Sequence, residues 1–344
     1  MLMNKELLSK RFYQFALREC HDSSPLYEWL SLKISEDEEM LELSSHSREG
    51  QPVPNLFLGA IHYLLIKGAD HSLKDFYPSI VENARFIEDT FPHFKDFCQD
   101  NREDIIFILK NKLVQTNEVR RCGYLYPTFS YIYNNTKKPL ALIEIGTSAG
   151  FQLLWDKYAY SYNGKDFYGN NDSNLLIETE IKGDGIPDFL LKSPPVTHRV
   201  GLDLHINDVT DNEDALWLNA LIWPEHKERR VLFEKATSCI KQYKSEMNLI
   251  EGDGVELLQQ FASKVPPEST LCVFHTHVAN QMPNEMKEKL LDQIKEIGGK
   301  RDIFHLYNNI WDGKLHLDSF CDGKEELRVI GETDGHGRWF TWEL

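Results

Sequence analysis

The densest chemical signal in the 344-residue chain is Glu144-Ile145-Gly146-Thr147-Ser148-Ala149-Gly150. It follows a short apolar run, Leu140 to Ile145, and helical spacing resumes behind it at Phe151, Leu154 and Trp155. A small-residue turn between a strand and a helix lets backbone approach a ligand closely. A dinucleotide fingerprint G-x-G-x-x-G needs glycine at 146, 148 and 151, and Ser148 and Phe151 break it. The same residues match G-x-S-x-G, the nucleophile elbow of α/β hydrolases, with Ser148 as nucleophile and Asp253 and His275 following in the order Ser, Asp, His. That elbow belongs to a strand in mid-sheet, whereas the preceding 138 residues read as helices and hold no oxyanion segment.

A third reading is the first strand-to-helix turn of a methyltransferase-like Rossmann core. There, small residues let backbone meet the methionine moiety of S-adenosylmethionine, and an acid sits near its cationic end. Glu144, Gly146, Thr147, Ser148 and Gly150 supply that pattern, with Ser in place of the more usual middle glycine. Asp203, behind Gly201-Leu202, ends the next strand candidate with a carboxylate suited to two ribose hydroxyls. Asp253 and Gly254, after the strand candidate Met247–Glu251, are placed to meet the adenine amino group. The separation of Glu144 and Asp203 exceeds the usual 20 or so residues between such positions, so an insertion must lie between them.

Other chemistry clusters around this turn. His275 ends the strand candidate Thr270–His275 and is the candidate general base toward a methyl acceptor, because imidazole titrates near neutrality. His277, two residues on, is a candidate substrate-binding group, and alternation would place both rings on one strand face. A metal pair completed by His205 and Asp208 is conceivable, but zinc spacing is absent and no metal is assigned. Asn117, Glu118 and Arg121 form a dense polar group ahead of the turn and are assigned to substrate; an Arg there can hold a carboxylate or phosphate bidentately. His62, on an apolar helix face, reads as a packed core histidine.

The elements that must position these groups change character along the chain. Before Lys137-Lys138-Pro139 the apolar spacing is helical, including a helix from Asn55 to about Gly68. After it, strand candidates Leu140–Ile145, Arg199–Leu204, Met247–Glu251, Thr270–His275 and Asp302–Tyr307 alternate with helical segments 213–221, 228–242, 254–263 and 284–297. Such alternation predicts a parallel sheet covered on both faces. The tail segments Leu315–Phe320, Glu326–Ile330 and Trp339–Trp342 read as antiparallel strands. The expected architecture is therefore α/β: an α-helical N-terminal domain over 1–137, then a Rossmann sheet over 138–344 with antiparallel C-terminal strands and an insertion at about 160–198.

Composition narrows the partners. Fifty-four acids against 38 bases give a formal charge of −16, which disfavours nucleic acid and anionic membrane surfaces. Six scattered cysteines without a C-x-x-C pair fit neither a zinc ribbon nor a disulfide scaffold, and Met1 to Cys20 lacks a signal-peptide h-region. A cytoplasmic location is expected.

Pro54–Leu65, Thr116–Arg121, Glu144–Gly150, Val200–Asp203, Asp208–Asp211, Trp217, Trp223-Pro-Glu225 and Val273–Thr276 together resemble segments of a bacterial "domain of unknown function" family. The resemblance covers most of the chain and implies a methyltransferase-like Rossmann core; it implies no substrate. The expectation is an S-adenosylmethionine-dependent methyltransferase acting on a small molecule. A non-catalytic S-adenosylmethionine sensor and a hydrolase using Ser148 are the alternatives.

Overall fold

The computed structural model describes residues 4–115, 118–185, 187–188 and 191–344. The N-terminal helices form where the apolar spacing places them. Helix α1, Lys5–Phe15, buries Leu8, Phe12 and Phe15, and the Asn4 side chain caps it by accepting the Glu6 N–H at 2.8 Å. Helices α2 (Pro25–Ser35) and α3 (Glu38–Ser44) start behind Ser24 and Asp37, whose side chains do the same. Helix α4, Val53–Lys67, ends on Gly68 at φ 112°, a left-handed stop that favours glycine. Its start precedes the expected one by two residues: Asn55 lies inside the first turn, and its side chain accepts the Trp223 indole N–H at 3.2 Å. Helices α5 (Thr90–Asp100), α6 (Arg102–Asn111) and α7 (Cys122–Thr136) follow.

Contacts divide the chain into two compact units, residues 1–116 with 211–231 and residues 117–210 with 232–344. This division differs from the one expected at 137/138. Helix α7 groups with the sheet because its aromatic face packs there: Phe129 stacks on Trp155 at 4.8 Å and meets Phe274 edge-on at 5.4 Å. Helix α8, Asn212–Ala220, was expected among the helices covering the sheet, yet it packs in the helical unit. There Trp217 meets the Tyr63 ring at 5.8 Å and donates its indole N–H to Leu113 O at 2.8 Å.

In the second unit, the parallel strands are β1 (Leu140–Ile145), β5 (Val196–Asp203), β6 (Asn248–Glu251), β7 (Thr270–His275) and β8 (Ile303–Tyr307), preceded in part by β2 (Ala159–Tyr162), β3 (Phe167–Gly169) and β4 (Leu176–Lys182). The main sheet runs β6-β5-β1-β7-β8, all parallel, and continues into antiparallel β9 (Lys314–Cys321). Strands β10 (Lys324–Glu326) and β11 (Val329–Glu332) both pair antiparallel with β9. Strand order reverses between β1 and β7, and the crevice outside the carboxyl ends of strands at such a switch point is where open α/β sheets bind ligands.

Both faces of β1 and β7 are buried, which explains their unbroken apolar runs. One face, carrying Ala141, Ile143, Ile145, Leu271 and Val273, packs under α10 (Gly254–Ala262) and α11 (Asn284–Gly298). Each large apolar side chain buried in this layer contributes roughly 1.5–3 kcal/mol. The insertion at about 160–198 is built of strands: β2, β3 and β4 join β12 (Trp339–Thr341) in a second sheet of order β12-β4-β2-β3. The last tail strand thus departs from expectation, since β12 pairs parallel with β4.

His62 shows how the helical unit handles a buried polar ring. Its Nδ1–H donates to Ala220 O at 2.9 Å, so Nε2 accepts the Ser79 hydroxyl at 2.8 Å, and burial lowers its pKa to about 3. The unfolded chain takes up this proton near 6.5, the folded chain only near 3. This contribution is therefore complete above pH 6.5 and is lost as pH falls toward 3. Chemical unfolding at pH 7 and pH 5 should show His62→Gln less pH-dependent than wild type, by up to ~1.4 kcal/mol per pH unit. Equal slopes for the two proteins would mean that the ring is not buried as a neutral group.

Candidate functional site

Strand β1 ends at Ile145, and the chain then turns through Gly146 at φ 77°, Ser148 at φ 48° and Gly150 at φ 82°. Glycine is required at 146, where an added Cβ would lie 2.6 Å from a Val278 methyl. The turn is tied to the neighbouring strand by Gly146 N–H to Leu202 O at 2.8 Å and by Ser148 N–H to the Asp203 carboxylate at 2.7 Å. Asn207 donates its side-chain amide to the Ser148 hydroxyl oxygen at 2.8 Å. The expected residues Glu144, Gly146, Thr147, Ser148, Gly150 and Asp203 are thus one assembly.

Glu144 is 2% exposed and accepts the Thr147 hydroxyl at 2.6 Å. Burial pushes its carboxyl well above the usual carboxylate range, and the nearby Asp203 charge pushes the same way. Asp203 is also raised by burial, against the N–H bonds of His205 and Ser148. Asp253 caps α10: its Oδ1 accepts Val255 N–H at 2.9 Å and Glu256 N–H at 3.2 Å, while Oδ2 has no bond among the described residues. Gly254 is packed so closely that an added Cβ would lie 2.9 Å from Ile145.

A polar cluster stands at the end of β7. The Thr276 hydroxyl meets both side-chain atoms of Gln152, at 2.9 and 3.0 Å, and accepts from Arg121 at 3.3 Å. Arg121 is 6% exposed and also donates to Gly335 O at 3.0 Å. Glu118, 3% exposed, accepts the Arg120 N–H at 3.2 Å and lies 3.5 Å from His336. Of the residues assigned to substrate, Glu118, Arg121 and His277 gather here; Asn117 lies outside the described residues. Gly335 and His336 sit on the Asp334–Gly337 turn before β12, closed by Gly337 N–H to Asp334 O at 2.9 Å. This turn, with Gln152, Thr276, Asn308 and Asn309, belongs to the site and escaped the sequence reading. Asp334-Gly335 and Asn308-Asn309 are the signals that mark such turns.

His275 does not join that cluster. Val273 is in register with Ile143, so His275 continues the face under α11, opposite to that of Glu144 and Phe274. Its ring packs 5.2 Å from His305 and 5.7 Å from Tyr307, and burial lowers its pKa to about 3. A general base needs a pKa nearer neutrality, and this placement withdraws that role. The hydrolase triad fails with it: Ser148 Oγ is held by Asn207, Asp253 by helix N–H groups, and His275 bonds neither. The conceived metal pair also dissolves, because His277 lies beyond the strand end, His205 faces Glu251 at 3.6 Å and Asp208 binds Lys244 at 2.7 Å.

Strand order and a left-handed small-residue turn at the switch point define an α/β protein with a mostly parallel sheet. Over residues 9–342 the chain belongs to the family described as an uncharacterized protein conserved in bacteria, DUF2332. No curated protein and no solved structure matches it. Among the described residues no helix is long and apolar enough to cross a membrane.

His275 and His305, 1% and 0% exposed, leave all four ring nitrogens without hydrogen-bond partners among the described residues. Replacing an unsatisfied buried polar group by an apolar one of similar shape is neutral or stabilising. Burial holds the His305 pKa well below 6.5, so wild type loses stability as pH falls below 6.5 and a phenyl ring cannot. His305→Phe should therefore raise the thermal midpoint, more at pH 5 than at pH 8. A larger gain at pH 8 contradicts a buried neutral imidazole.

Proposed function

We propose that the crevice binds S-adenosylmethionine and that the protein is a methyltransferase-like enzyme acting on a small molecule. The carrying observation is that Glu144, Asp203 and Asp253 stand at or just beyond the ends of three adjacent parallel strands, β1, β5 and β6, around one left-handed turn. The order β6-β5-β1-β7-β8, with an antiparallel strand beyond, is that expected of a methyltransferase-like Rossmann sheet.

The residues present fit this cofactor. Asp203 is a carboxylate held in place by two backbone N–H groups, suited to ribose hydroxyls. Asp253 Oδ2 is available to an adenine amino group. The buried Glu144 would meet the positive charge. When bound, the cofactor supplies a methyl group on a sulfonium, ready for direct displacement. The protein's own work is then positioning: the turn fixes one partner, and the Arg121, Thr276 and His277 cluster holds the other in near-attack geometry. No protein nucleophile is needed, in keeping with a Ser148 hydroxyl that serves the turn.

Burial raises the Glu144 carboxyl and an incoming cation pushes it back toward the ionised form, because an opposite charge favours that form. Calorimetry near neutral pH, in buffers of different ionisation enthalpy, should show proton release with S-adenosylmethionine. S-adenosylhomocysteine, whose sulfur is neutral, should bind without it. Asp203→Ala should weaken both ligands about tenfold or more, the loss of about 1.4 kcal/mol or more of hydrogen bonding. No heat from either ligand at millimolar concentration would sink the reading. Binding without methyl transfer across metabolite pools would select the sensor alternative.

A further inference from the structure

Non-glycine residues adopt left-handed backbone just beyond β1, β7 and β8: Ser148 at φ 48°, His277 at φ 63° and Asn309 at φ 64°. Such conformations cost of order 1–3 kcal/mol each and persist where the surroundings impose them. Ser148 is explained by its bonds to Asp203 and Asn207. His277 and Asn309 hold each other, together with Asn308. The Asn308 carboxamide oxygen accepts the His277 N–H at 2.8 Å, and the Asn309 amide nitrogen stands 3.2 Å from His277 Nδ1.

That last contact settles the tautomer. An amide nitrogen can only donate, so Nδ1 accepts and the proton of the neutral ring resides on Nε2. Nε2 is buried and has no partner among the described residues. An N–H donor in that position lacks an acceptor, at a cost of about 1–3 kcal/mol until one arrives. The surroundings state which acceptor suits it. Arg121 and His336 act on the ring from the cationic side and Asp334 from the anionic side, and Asp334 already binds both arms of the Arg338 guanidinium at 3.0 and 2.8 Å.

We propose that His277 Nε2–H is the anchor for an oxygen of a carboxylate-bearing small molecule, with Asn309 fixing the tautomer that makes it a donor. As the identity of the methyl acceptor this rests on the reading above; as a carboxylate site it does not. The burial that keeps the ring neutral removes any role for it as a cation, so recognition is by a directed N–H bond beside the Arg121 charge.

Histidine-selective ¹⁵N NMR tests the proposal with acetate as the probe. Wild type should show an Nε2–H tautomer that disappears in His277→Gln. Saturable addition of acetate should move that signal, whereas methylammonium should leave it in place. Asn309→Ala serves if His277→Gln does not fold: freeing Nδ1 should mix the tautomers and weaken the acetate response several-fold. An Nδ1–H tautomer, a response to methylammonium, or no saturable response to acetate each overturns the proposal. A protein that binds acetate here but no S-adenosylmethionine keeps this site and loses the methyltransferase reading. The converse result keeps the cofactor and loses the carboxylate.

Discussion

The bond from the Ser148 N–H to the Asp203 carboxylate is the constraint on which the site depends. A left-handed non-glycine residue costs about 1–2 kcal/mol, and a charge-assisted hydrogen bond returns about 1.5–3 kcal/mol. The turn is therefore stable only with β5 beside β1. Gly201 makes the approach possible, since an added Cβ there would lie 2.6 Å from two atoms of Thr147. The same Thr147 donates to Glu144, so strand spacing, turn conformation and the buried acid are set together.

Electrostatics follows from that packing. The excess of acid in the sequence is mostly solvated, but near the turn burial keeps carboxyls from ionising freely. Burial raises the Glu144 carboxyl on one face of β1, and the Arg121 guanidinium lowers its pKa only partly. A strongly acidic protein thus sets carboxyls raised by burial near the turn, with the Arg121 guanidinium close by. The net charge of the chain does not indicate this local balance.

The parallel strands were legible because each is a short run closed by Gly, Asp, His or Asn. β7 falls at the expected residues and β6 and β8 one residue later at their starts. What local pattern cannot show is where an amphipathic helix finds its partner. Helix α8 has the length and position of a sheet-covering crossover, yet Trp217 and Leu221 fit against Gly59 of α4. Helix α7 reads as one more N-terminal helix, but its Phe129 belongs over Trp155 and Phe274. Within the interval 160–198 the strand-like run Leu175–Ile181 marks β4, but not its pairing, because β4 pairs with a strand at the far end of the sequence. Long-range pairing of this kind leaves no periodic trace.

The two histidines after Phe274 show the same limit at the scale of one residue. Alternation predicts that His275 and His277 share a face, and it holds only while the strand continues. The strand stops at His275, and His277 turns left-handed because Asn308 takes its N–H and Asn309 its Nδ1. One ring is therefore sealed under α11 against His305 and Tyr307, and the other is delivered among Arg121, Asp334 and His336. The asparagine pair that decides this lies more than 30 residues downstream. A residue type suited to chemistry thus becomes a site residue through the backbone that aims it.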